Sequence, residues 1–270
     1  MSWKHRPTSR RYRNASCHSR NRPTHVRCRH CCRAGELVVK LVEDGIVLVD
    51  GIHDQGDLLD LARSLGVVTP HRDSDGDGVT TIATIGALGQ RSGFAGFSTD
   101  ALNPHTDRSG IPCPPTLLLM ACRQPATVGG ECVLIDGRAV HRDLARFEPQ
   151  ALHALTTPRS ALFGGAGYLG SLFEPTTDGL VAVRVRFDDL AQFSPDVTRW
   201  LPALRDAIDR HTITVNLSAG QGYVLNNRRW LHGRRAFTGQ RKMYRVNAEP
   251  RDYLAIPAGF RPVAVGEAAS

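Results

Sequence analysis

His105-Thr106-Asp107 sets an imidazole and a carboxylate at positions i and i+2. On an extended segment both side chains leave the same face, with Cα atoms ~6.5 Å apart, so both can reach one metal ion. Two histidines and one carboxylate gathered on one side of an ion leave the opposite positions open, and that facial arrangement suits a non-haem ferrous centre. The second histidine then has to come from a distant strand. A His-x-Asp triplet alone is a weak signal, and the chain contains it twice. The rival, His71-Arg72-Asp73, lies in a polar, turn-forming run from Thr69 to Gly78, whereas His105 is followed by Pro114-Pro115 and an apolar segment. The same run imitates the start of a calcium loop with Asp73, Asp75, Asp77 and Gly78, but Thr84 occupies the twelfth position, where a bidentate Glu is required. Zinc would also accept two histidines and an acid, yet nothing in the sequence supplies the general base that a zinc hydrolase needs.

The elements that must position these groups are short and strand-rich. Leu37 to Leu41 and Ile46 to Val49 read as two β-rich runs around the Asp44-Gly45 turn. A helix follows, with Asp57 as cap, Leu58, Leu61, Ala62 and Leu65 at helical spacing, and Gly66 as stop. Val79 to Ile85 is expected to be a strand, and Thr116 to Cys122 and Cys132 to Ile135 buried strands; residues 139 to 156 are expected to be helical after the Asp136-Gly137 turn. Val181, Val183, Val185 and Phe187 alternate with Ala182, Arg184 and Arg186, and Ile213, Val215 and Leu217 alternate with polar residues, the pattern of half-buried strands. Ser194-Pro195 opens a helical segment carrying Val197, Trp200, Leu204 and Ile208, which Pro202 is expected to break in two. Many strands, with helices gathered early and in one insertion, imply a mostly β barrel or sandwich of antiparallel strands flanked by helices.

A chain of 270 residues can bury a substantial core in one such domain. The formal charge of +8 is concentrated in residues 1 to 35, which carry Lys4 and nine arginines with no acid, against 24 basic and 26 acidic residues in the remainder. This segment is too polar to offset the entropy of ordering and is expected to be a disordered, solvated extension. As alternatives, Cys28, Cys31 and Cys32 with His25 or His30 offer zinc ligands but no second properly spaced pair, and a nucleic-acid arm would have only Trp3 and Tyr12 to stack on bases. The catalytic domain is expected over 36 to 262, with a tail over 263 to 270. Cys113, Cys122 and Cys132 are scattered through the body, which is no secreted disulfide framework. No stretch approaches the ~18 apolar residues of a membrane span, and a reducing cytoplasm is the expected compartment.

Four motifs stand in order: Asn103-Pro104-His105-Thr106-Asp107, Gly129-Gly130-Glu131-Cys132, Asn227-Arg228-Arg229-Trp230-Leu231-His232-Gly233-Arg234 and Gln240-Arg241-Lys242-Met243-Tyr244-Arg245. With them the chain, over roughly residues 37 to 250, resembles the taurine dioxygenase and clavaminate synthase-like (TauD/TfdA-type) family of iron(II)/2-oxoglutarate oxygenases. The resemblance implies a double-stranded β-helix (jelly-roll, cupin-like) core and a ferrous ion held by His105, Asp107 and His232. It also implies 2-oxoglutarate and O2 as cosubstrates, with Arg241 as salt-bridge partner of the far carboxylate of 2-oxoglutarate. The residues are consistent with this. Arg241, Met243 and Arg245 share one face of an alternating strand, their arginine Cα atoms ~13 Å apart, so both guanidinium groups can enter one cavity. Arg245 is expected to bind the cosubstrate or a carboxylate of the prime substrate. Arg234 and Arg235 are expected to be exposed loop charges.

Cys132 departs from the threonine commonly found after Gly-Gly-acid in that family, and a thiol is the weaker donor. Either Arg241 alone holds the cosubstrate, or Thr116 or Tyr244 substitutes. The expected reaction is hydroxylation of an unactivated C–H bond in a small polar, amino-acid-like or secondary-metabolite substrate, with Asp107 arguing against halogenation. Desaturation, epoxidation or cyclisation by the same chemistry, or a non-catalytic binding protein on the same fold, are the alternatives. The expected partner is a small molecule rather than nucleic acid or a membrane.

Overall fold

The computed structural model describes residues 25–27, 34–86, 89, 91–164 and 167–262. Two sheets face each other. The larger runs in the order His25–Arg27, Ile46–Asp50, Gln221–Asn226, Leu117–Gln124, Lys242–Pro250, Gly66–Val68, with Thr80–Ala83 also paired to Lys242–Pro250. The smaller runs Thr212–Val215, Cys132–Asp136, Trp230–Arg234, Leu102–His105. All these pairings are antiparallel except that of His25–Arg27 with Ile46–Asp50. This is the β-rich jelly-roll with flanking helices that the sequence implied.

The strand periodicity decides what fills each layer. In Leu117–Gln124, Leu117, Leu119 and Ala121 face outward under the helices Ala34–Glu43 and Gln55–Leu65, while Leu118, Met120 and Cys122 face the opposite sheet. A strand apolar on both faces belongs in a covered sheet. The helices Gly137–Phe147, Pro149–Thr156 and Pro195–Arg210 cover the outer face of the smaller sheet around Ile135, Leu144, Leu155 and Leu204. Between the sheets, Leu134, Tyr223, Leu225 and Met243 belong to a third cluster. Among the described residues no helix is long and apolar enough to cross a membrane.

Several expectations are corrected. Leu37 to Leu41 lies in a helix, because Leu37 and Leu41 at i and i+4 bury against the sheet while Val39 stays 52% exposed. The next helix is capped by Asp54; Asp57 returns a bond to the Asp54 N–H, completing a capping box. Pro202 does not break Pro195–Arg210: its ring lies on the exposed face, as does Thr198, whose carbonyl loses a helical partner and can take water instead. Of Val181 to Phe187 only Val181–Val183 is strand, and Ala182 and Arg184 are buried rather than solvent-facing. The Val79 to Ile85 strand shortens to Thr80–Ala83, and the helix over 139 to 156 divides at Glu148. In the basic segment, His25–Arg27 pairs with the edge of the larger sheet, which requires only backbone groups. The other residues of the 1 to 33 stretch, including Cys28, Cys31, Cys32 and His30, and the tail 263–270 lie outside the described residues.

Candidate metal centre and its cavity

His105 ends the strand Leu102–His105, and its register partner on Trp230–Arg234 is His232. The two rings lie 4.2 Å apart between centroids at 45°. Close approach of these strands requires Gly233, where an added Cβ would meet the Leu102 carbonyl oxygen at 2.6 Å. Beyond His105, Thr106 continues the extended path by bonding Val185 through its N–H, at 2.9 Å. Asp107 is fixed by Asn227, whose Oδ1 accepts from the Asp107 N–H at 2.7 Å and whose Nδ2 donates to the Asp107 carbonyl at 3.1 Å and the Pro115 carbonyl at 3.0 Å. One ligand atom from each of His105, Asp107 and His232 lies within 4.8 Å of the other two.

The protonation states suit a cation. Burial lowers the His105 and His232 pKa values, His232 the more strongly, so both rings are neutral near pH 7. His105 Nδ1 lies 2.9 Å from the Asn103 carbonyl; as donor there it leaves Nε2 with a free lone pair. His232 Nδ1 is buried and has no hydrogen-bond partner among the described residues. Burial would raise the Asp107 pKa, but Arg245, then His232 and His105, outweigh it and hold the carboxyl well below the usual carboxylate range. Arg245 Nη1 donates to Asp107 Oδ1 at 3.1 Å and Asn247 Nδ2 to Oδ2 at 3.0 Å. A buried carboxylate with a guanidinium, an amide and two imidazoles around it is a fixed anionic donor.

The triad opens into a cavity of about 460 Å³ whose walls include Ile82, Phe97, Met120, Cys132, Arg241 and Arg245. Arg241 is 8% exposed, and its Nη2 lies 3.8 Å from Cys132 Sγ. Among the described residues no carboxylate pairs with it. Burial raises the Cys132 pKa despite Arg241, so the thiol is neutral.

Other expected site residues are placed differently. Arg245 lines the cavity but is engaged by Asp107, because the strand brings it opposite that carboxylate rather than leaving it free for an external one. Thr116 is turned away: its Oγ1 and N–H both donate to Glu249, at 2.7 and 3.0 Å. Tyr244 packs with the helix-covered outer face of the sheet, one residue out of phase with Arg245. Arg234 is 5% exposed, not a loop charge; Nη1 and Nη2 bond the carbonyls of Gly96, Ser98 and Asp100 at 2.7 to 2.9 Å. Burial, then Arg241, push its pKa down to about 10. The rival His71 and Asp73 line the same cavity outside the three-residue cluster; His71 Nδ1 accepts from the Asp73 N–H at 3.2 Å, and burial lowers the His71 pKa, so the ring is neutral.

Three further residues shape the site. Asn247 follows Arg245 by two on the same strand face, so the alternation already used for Arg241 and Arg245 would have found it. Asn227 opens the motif that contains His232, but its partner Asp107 is visible only in three dimensions. Tyr223, 1% exposed, lines the cavity from the larger sheet.

The sequence matches the family described as "Taurine catabolism dioxygenase TauD, TfdA family" over residues 33–247. Gamma-butyrobetaine dioxygenase of Homo sapiens is 27% identical over 160 residues, 52% of this chain and 41% of that protein. The chain thus spans about two fifths of the length of the curated relatives it matches. An asparagine oxygenase solved with Fe(II), 2S,3S-3-hydroxyasparagine and succinate superposes with a TM-score of 0.62 at 14% identity, covering 80% of this chain and 78% of that one. The non-heme iron oxygenase OrfP, solved with Fe, succinate and (3R,4R)-dihydroxy-L-Arg, gives 0.63 at 15% identity over 85% and 86%. At such identities the likeness concerns the fold.

Proposed function

The chain belongs to the taurine catabolism dioxygenase TauD, TfdA family of iron(II)/2-oxoglutarate oxygenases, and from that premise we propose that it hydroxylates a C–H bond of a small, polar, amino-acid-like substrate. The observation that carries this reading is the meeting of His105, Asp107 and His232 within 4.8 Å, in one cavity with a buried arginine that pairs with no carboxylate among the described residues. Two neutral imidazoles and one ionised carboxylate are the donor set a ferrous ion takes, and Arg241 is the cation a ketoacid's far carboxylate takes. When bound, iron(II) and 2-oxoglutarate supply dioxygen reduction coupled to decarboxylation of the ketoacid to succinate and carbon dioxide.

The protein's own part is positioning. Arg245 and Asn247 fix both Asp107 oxygens, so the carboxylate cannot rotate away from the metal position. Asn227 fixes the Asp107 main chain to the turn before Leu117–Gln124. Ile82, Phe97 and Met120 give the cavity dry walls. Asn103 sets the His105 ring. The amino-acid-like substrate is supported by the charges of both signs that line the cavity, Asp73, Arg186 and Asp188, and by the hydroxylated asparagine and arginine found in the structural neighbours.

Succinate formation by the iron-loaded protein over a panel of free amino acids and their betaines tests the reading. Stimulation by one of them, with a product heavier by one oxygen, is expected. A panel that leaves succinate release at its substrate-free rate contradicts the substrate class.

A further inference from the structure

Resting on the oxygenase reading, we infer that the Tyr223 hydroxyl is a second anchor for 2-oxoglutarate, donating a hydrogen bond to the carboxylate that Arg241 binds. A carboxylate offers four lone-pair sites and a single guanidinium fork fills two of them, so a buried carboxylate calls for further donors. Cys132, the side chain that touches Arg241, contributes only a thiol. Arg234, the neighbouring cation, turns both terminal nitrogens to backbone carbonyls.

Tyr223 fills this gap. It stands on Gln221–Asn226 opposite Met120, which is itself opposite Arg245, so the three form one row across the larger sheet, and all three line the cavity. The side chain is 1% exposed, and Cys132, which touches Arg241, packs in the same cluster between the sheets. A buried tyrosine usually finds a partner for its hydroxyl, and here the cavity is the place where one can arrive. Arg241 and Cys132 line the same cavity as Tyr223, and the charges of Arg241 and Arg245 both act on its hydroxyl. Burial raises that pKa well above 10, so the group is a neutral donor at any working pH.

The test is anaerobic titration of the iron-loaded protein with 2-oxoglutarate and, separately, with 2-oxopentanoate, which keeps the chelating end but lacks the far carboxylate. Calorimetry supplies the readout. Tyr223→Phe should weaken 2-oxoglutarate at least fivefold and leave 2-oxopentanoate unchanged. Cys132→Thr, which places a hydroxyl beside Arg241, should recover most of the loss when combined with Tyr223→Phe. Equal affinity of wild type and Tyr223→Phe for 2-oxoglutarate would overturn the inference. Equal weakening of both ketoacids would also overturn it, by assigning Tyr223 a purely structural role. Absence of 2-oxoglutarate binding in the wild type would instead remove the oxygenase reading beneath it.

Discussion

His105 and His232 are direct register partners on adjacent antiparallel strands, their ring centroids 4.2 Å apart. Two neutral imidazoles side by side with an ionised Asp107 form one donor cluster. Its rigidity comes from residues that are not themselves in the ligand set, and those residues make the account testable.

Asn227 holds Asp107 by both its N–H and its carbonyl. Asn227→Ala should lower iron(II) affinity by about 10- to 100-fold, the usual effect of losing a group that orients a ligand. Competitive titration against a chelating dye measures it. Unchanged affinity would mean that the His105-to-Asp107 segment is set by its own strand pairing.

Arg234 ties the Ala95–Phe97 turn and its flanks to the strand that carries His232. Arg234→Met leaves several buried carbonyls short of a donor, and the expected loss of stability is about 3 kcal/mol, read by urea unfolding. A loss below about 1 kcal/mol would place those carbonyls in contact with water.

Thr116, expected at first to help hold the cosubstrate, bonds Glu249 instead. Thr116→Val should leave 2-oxoglutarate affinity within about twofold and cost about 1 kcal/mol of stability, the typical net value of one hydrogen bond. A large loss of affinity would return Thr116 to the cosubstrate site.

Burial lowers the pKa of His141, which packs edge-on to Phe173 and Phe260, its Nδ1 unpartnered among the described residues. Below its unfolded value of about 6.5 the unfolded chain takes up a proton that the folded chain refuses, so stability falls as pH drops. The contribution reaches about 1.4 kcal/mol per pH unit at most, until the folded group also titrates. His141→Phe should reduce the slope between about pH 6.5 and 5 in thermal unfolding of the metal-free protein, leaving the share of His105 and His232, whose pKa values burial also lowers. An unchanged slope would assign the acid sensitivity to other groups.

The parts of this molecule that were legible in the sequence are those with local or periodic signatures. His105 and Asp107 are two residues apart on an extended segment, and the strand alternation at Arg241 and Arg245 put both in one cavity. Partner choice was not legible. Arg245 pairs with Asp107 and Thr116 with Glu249 because separate strands meet, and neither spacing nor composition encodes which carboxylate an arginine finds. The helix Ala34–Glu43 was misread because a five-residue apolar run is too short to separate the helical from the extended period. Arg234 was misread because an arginine satisfied by main-chain carbonyls leaves no acidic partner to notice in the sequence.

The most direct measurement is anaerobic addition of iron(II) and then 2-oxoglutarate, monitored for the weak visible charge-transfer band of a ketoacid chelated to a ferrous ion. The account predicts that the band saturates at one iron per chain and is abolished by Asp107→Ala and by His232→Ala. A wild-type protein that forms no band, or one whose band survives the loss of His232, would contradict it.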